Sequence, residues 1–121
     1  VYGWPKNQLH WVGIPRSIVE LNRIFRRTFA IVDGVVGMEG NGPIQGTPKR
    51  CGVLVMGGDQ VAVDATCCRV MGIDPDRIDY LRMSAALGHA AENRIEQRGE
   101  KIAAVRTNFT MLPQFDSLRL S

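Results

Sequence analysis

Read along its length, the chain moves between helical and strand-like patterning. Ile18, Leu21 and Phe25 recur three and four apart, with Glu20, Asn22, Arg23, Arg26 and Arg27 on other faces. This predicts an amphipathic helix from Pro15 to Arg27 with proline in its first turn. Ahead of it, residues 1–14 mix Trp4, Pro5, His10 and Trp11 without a period and read as an extended connection packed by its aromatics. Phe29-Ala30-Ile31-Val32 and Gly52-Val53-Leu54-Val55-Met56 are short continuous apolar runs, the pattern of strands buried on both faces. Between Gln60 and Met71 there is no proline or glycine, Asp59 stands where an N-cap would, and Gly72 is placed to end the helix. Asp74-Pro75-Asp76 signals another helix start, with Ile78, Leu81 and Ala85 on one face before Gly88. Alternation around Gly99 predicts two short strands or a hairpin over 94–109, and the stretch after Thr110 has no period and reads as a surface segment. Strands separated by helices give the α/β class: a mixed, partly parallel sheet flanked by helices, in one incomplete domain over residues 1–121.

The two apolar runs are joined by the most distinctive stretch of the chain. From Ile31 to Pro48 five glycines (Gly34, Gly37, Gly40, Gly42, Gly46) accompany Asp33 and Glu39, and Lys49 and Arg50 follow. This predicts a loop, residues 33–50, at the carboxyl end of a strand, where open sheets bind ligands. Glycine amides at Gly40, Gly42 and Gly46 could converge on an anion with Lys49 as counter-charge. The dinucleotide and P-loop fingerprints are both absent: the third glycine comes one residue late, a strand follows, and no G-K-S/T closes the run. A glycine-rich structural turn is an equal reading.

Carboxylates supply the second line of chemistry. Asp33, Glu39 and Asp64 are candidate metal ligands, since hard divalent cations take oxygen donors, and with His10 they are candidate acid–base groups. Asp64 lies among apolar neighbours in the predicted helix 60–71 and needs a partner if buried, so a structural ion pair and a functional group are both open. Asp59 reads as a helix cap. His89, after Gly88 at a predicted helix end, reads as a favourable C-terminal cation, while His10 either packs as an aromatic or reaches the loop.

Composition narrows the function classes. The chain has 121 residues, 45% hydrophobic and 22% charged, the balance of one globular domain. Its net charge of +3 is spread over separated basic pairs, not a stripe that could neutralise several phosphates, which argues against nucleic acid. No apolar run is long enough for a membrane span. Cys51, Cys67 and Cys68 are odd in number and two are adjacent, which points to buried thiols in a reducing, cytoplasmic compartment. With no C-x-x-C, an iron–sulfur cluster is not supported within this segment. Val1 in place of methionine reads as a fragment or a processed chain.

The succession Tyr2-Gly3-Trp4-Pro5-Lys6-Asn7, Leu9-His10-Trp11, Ile31-Val32-Asp33-Gly34, Gly37-Met38-Glu39-Gly40-Asn41-Gly42-Pro43, Gly46-Thr47-Pro48, Val63-Asp64-Ala65 and Met71-Gly72-Ile73-Asp74-Pro75 resembles domain of unknown function family 362. The resemblance implies a C-terminal portion of a longer protein. It implies no particular reaction, although some members are iron–sulfur associated through a cysteine-rich segment that is missing here. Two readings follow. In the first, loop 33–50 binds a small anionic ligand or a metal in a redox- or metal-linked protein. In the second, the chain is a non-catalytic binding or assembly module whose loop packs against a missing N-terminal portion or another subunit.

Overall fold

The structure is a computed structural model that describes residues 7–25 and 27–121. The expectations placed on Trp4, Pro5 and Arg26 therefore lie outside the described residues. Two helices open the described chain, α1 (Asn7–Val12) and α2 (Ile14–Ile24). Residues 7–12 are thus helical where an extended connection was expected. Gly13, at φ 100, separates the two helices, and the buried Ser17 hydroxyl donates to the Leu9 carbonyl at 3.0 Å to hold them together.

The largest departure from the sequence reading concerns the sheet. It is two-stranded and antiparallel, formed by β1 (Ala30–Asn41) and β2 (Gln45–Gly57), with no parallel pair among the described residues. The predicted loop 33–50 is almost entirely strand: only Gly42, Pro43 and Ile44 turn the chain. Valines on both arms, with Ile31 on β1, favour pleated backbone, and a tight connection allows only antiparallel pairing. A parallel pair would have needed a crossover of a dozen residues or more, and this chain has no such segment between its strands.

The ribbon is not regular. Pairing runs from Ala30↔Gly57 to Gly34↔Val53 and resumes at Val36↔Arg50. At the break Val35 alone stands opposite Cys51 and Gly52. Gly52 has φ +70, a left-handed conformation open to glycine at little cost and typical of a bulge. Along β1 the more buried positions are Ala30, Val32 and Gly34, then Gly37 and Glu39, so the alternation skips at the break.

One face of the ribbon is covered. Helix α3 (Gln60–Met71) lies over β2, where Val63 comes so close to Gly57 that a side chain there would touch it at 3.0 Å. A 3-10 turn (Pro75–Arg77) leads into α4 (Asp79–Met83), and Leu81 joins Val61 and Cys68 in the core with Ile73, Ile78 and Leu87 packed around them. Helix α4 stops short of the predicted Gly88. The predicted hairpin over 94–109 does not form: a 3-10 turn (Glu92–Arg94) and the single-turn helix α5 (Ile102–Val105) occupy that stretch. Beyond Phe109 the chain is tied down, with the Asp74 amide donating to the Leu118 carbonyl at 2.8 Å and the Leu120 amide to the Gly72 carbonyl at 3.0 Å.

Leu81 is 2% exposed and Ile44, at the ribbon tip, 92%. Leu81→Ala is expected to cost about 2–5 kcal/mol in urea denaturation through transfer and cavity terms. Ile44→Ala should stay within about 0.5 kcal/mol. Equal costs would contradict this placement of the core.

Candidate functional site

The register break decides what becomes of the predicted site residues. Asp33 and Glu39 are six residues apart and would share a face of an unbroken strand. Across the break they diverge. Asp33 pairs with the exposed Leu54 on the outer face, and its Oδ1 accepts from the nearby Val35 amide at 3.0 Å. Glu39 faces inward, where its Oε2 lies 3.1 Å from Lys49 Nζ and accepts from the Thr110 amide at 2.8 Å. The Thr110 amide first, and Lys49 second, hold the Glu39 carboxyl below its ordinary range.

Predicted anion donors are similarly engaged. The Gly40 amide donates to the Thr110 carbonyl at 2.9 Å, and Lys49 Nζ also donates to the Asn108 carbonyl at 3.2 Å. Gly46 leaves room for Met38, whose Cγ would lie 2.4 Å from a β-carbon there, and Gly42 lies against the same side chain. Phe109 occupies the corresponding space beside Gly37 on the inner face. The ribbon therefore brings together Glu39, Lys49 and Gly40, but around the segment 108–110.

Asp64 is carried by α3, half-buried, with Tyr80 as its hydrogen-bond partner; burial pushes its carboxyl up, opposed by Tyr80. Burial, reinforced by Asp64, pushes the thiol of Cys67 up to about 11 and that of Cys68 up to about 12, so both stay protonated and unreactive at neutral pH. His10 stands exposed on α1. No group of three or more His, Cys, Asp or Glu among the described residues is gathered so as to hold a metal ion. The predicted donor set does not fit one: Asp33 and Glu39 face opposite ways, and Glu39 is engaged by a lysine and an amide.

A different pair is brought together. Asp59 caps α3, its Oδ1 accepting from the Ala62 amide at 3.0 Å, while its Oδ2 accepts from both the amide (2.9 Å) and Nδ1 (3.0 Å) of His89. Donation from Nδ1 leaves Nε2 as the acceptor of the neutral ring. Gly88 makes the contact possible, since a β-carbon there would lie 2.2 Å from Asp59 Oδ1. Burial opposes ionisation of Asp59, but the Ala62 amide and the ring and amide of His89 outweigh it and hold the carboxyl below its ordinary range. Both residues border a cavity of about 650 Å³ beside β2, with Val55, Val63 and Ile102 among its apolar lining. The expected helix-end role of His89 gives way because α4 ends at Met83. A contact spanning 30 residues left no local signal in the sequence.

The family model described as a domain of unknown function, DUF362, matches residues 1–69. The chain belongs to the DUF362 family. Among curated proteins, the thylakoid-associated protein sll1697 of Synechocystis sp. is 31% identical over 71 residues, which are 59% of this chain and 22% of that protein. This DUF362 chain thus spans about a fifth of the length of that relative. No solved structure matches. The DUF362 match covers the ribbon and most of α3 but lies in the first part of the chain, which gives no support to the expected C-terminal placement. Within it fall Glu39, Lys49 and Asp59; His89 and Thr110 lie outside.

Because the folded Asp59 carboxyl is held low, its stabilising contribution is present above the unfolded value of about 3.9 and is lost as pH falls through the folded value. Asp59→Ala should cost about 0.5–2 kcal/mol near pH 7, the usual range for a lost N-cap, and the gap to wild type should narrow on acidification below about pH 4. Urea titrations at several pH values check this. A gap that is constant or widens towards low pH would contradict it.

Proposed function

We propose that this DUF362 chain is a non-catalytic assembly unit whose β-ribbon becomes part of a larger α/β fold. The observation that carries the reading is the outer face of the ribbon, where Ile31, Leu54 and Met56 are 67%, 58% and 54% exposed and lie side by side across the strands. Burying each would contribute about 1.5–3 kcal/mol, and a two-stranded ribbon covered on one face only is marginal by itself. The occupant is further polypeptide of the longer protein, since the curated relative is several times longer than the matched stretch. The thylakoid relative's name describes an association of that protein, in keeping with a protein that works through contacts. A cytoplasmic placement, suggested by three free cysteines, belongs to the same proposal.

The reading of the ribbon as an anion or metal site is the weaker one, because Glu39, Lys49 and the Gly40 amide already hold segment 108–110. A photo-crosslinker replacing Leu54, in the polypeptide as the cell makes it, tests the assembly reading. Capture of residues of the same polypeptide outside these 121 is expected. Capture of a second copy, or none, would overturn it.

A further inference from the structure

Helix α3 reaches beyond the strand it covers. A helix with its side chains is about 10 Å across and neighbouring strands lie about 4.8 Å apart, so a helix packed on a sheet covers roughly two strands. One of these is β2. On the other flank lies the cavity of about 650 Å³, whose lining includes every residue from Gly52 to Gly58 and none from β1. Successive strand side chains point to opposite faces, so a space that meets all of them runs along the strand's edge, here the edge that β1 does not occupy. Val63, Thr66 and Val70 of α3, three and four apart on one helix face, border the same space. The far side is mixed, with Ile95, Ile102 and Val105 among charged residues such as Arg94, Arg98 and Glu100.

A main-chain edge unpaired among the described residues, a largely apolar helix face and a far side that mixes apolar with charged residues together fit an extended peptide. A small polar molecule would leave the backbone donors and acceptors of β2 unmatched. We infer that β2, from Gly52 to Gly57, is a strand-acceptor edge. An extended segment from the further polypeptide of the longer protein lies along it, bonded main chain to main chain, with alternate apolar side chains against Val63 and Val70. The inference rests on the assembly reading above and specifies its edge and the kind of segment it takes.

Amide hydrogen exchange on the polypeptide as the cell makes it tests the edge separately from the outer face. β1 can bond only alternate residues of β2, so an open edge leaves every second amide from Gly52 to Gly57 exchanging fast. An added strand protects the full run, slowing those alternate amides by on the order of a hundredfold or more. Full protection, with a photo-crosslinker at Ile102 captured by an extended segment of the same polypeptide, is the expected result. An alternating fast–slow pattern would overturn the strand-acceptor edge, and if the Leu54 crosslink still formed, the assembly reading would stand without it. Full protection with capture of a second copy at Ile102 would overturn the source assigned to the segment.

Discussion

The register break opposite Val35 is the constraint on which the rest of the structure depends. By setting one residue of β1 against Cys51 and Gly52, it lets the ribbon present Ala30, Val32 and Gly34 inward on one side of the break and Gly37 and Glu39 on the other. The inward Gly37 admits the ring of Phe109, and the inward carboxylate anchors the Thr110 amide. Without the break, Glu39 would turn to the outer face with Asp33, and the segment 107–110 would lose its attachment. That segment also runs along the end of α3, with the Thr107 amide donating to Val70 and the Phe109 amide to Met71. The break thus couples the ribbon to the helical layer.

The two layers are unequal in self-sufficiency. Beneath α3 a small core gathers Val61, Cys68 and Leu81, with the Asp59 clasp closing its edge. The ribbon, by contrast, is covered on one face, keeps apolar side chains on the other and, among the described residues, has no third strand at its edges. A soluble, finished domain would blunt such a surface with charge or cover it. In the assembly proposed above, these exposed residues would become interior ones.

Legibility in the sequence followed the range of the interactions. Helix α3 was readable with its bounds, its Asp59 cap and its Gly72 terminus, because each signal lies within a few residues of what it controls. The ribbon was not. Five glycines over 31–48 mimic a loop, and their reasons are distant or cross-strand: Gly37 makes room for Phe109 and Gly46 for Met38. The skipped alternation hid the period of two that would have announced a strand. The same break defeated the proposed pairing of Asp33 with Glu39, which a count of residues alone would place on one face. His89 was misread for the opposite reason, since a plausible local role masked a partner 30 residues away.

The pairing of the ribbon strands across the break can be observed directly. Cross-strand nuclear Overhauser contacts on isotope-labelled protein should join Asp33 with Leu54 and, beyond the break, Val36 with Arg50 and Glu39 with Thr47. An uninterrupted register, with Val36 opposite Cys51, would contradict the account. It would return Glu39 to the outer face beside Asp33.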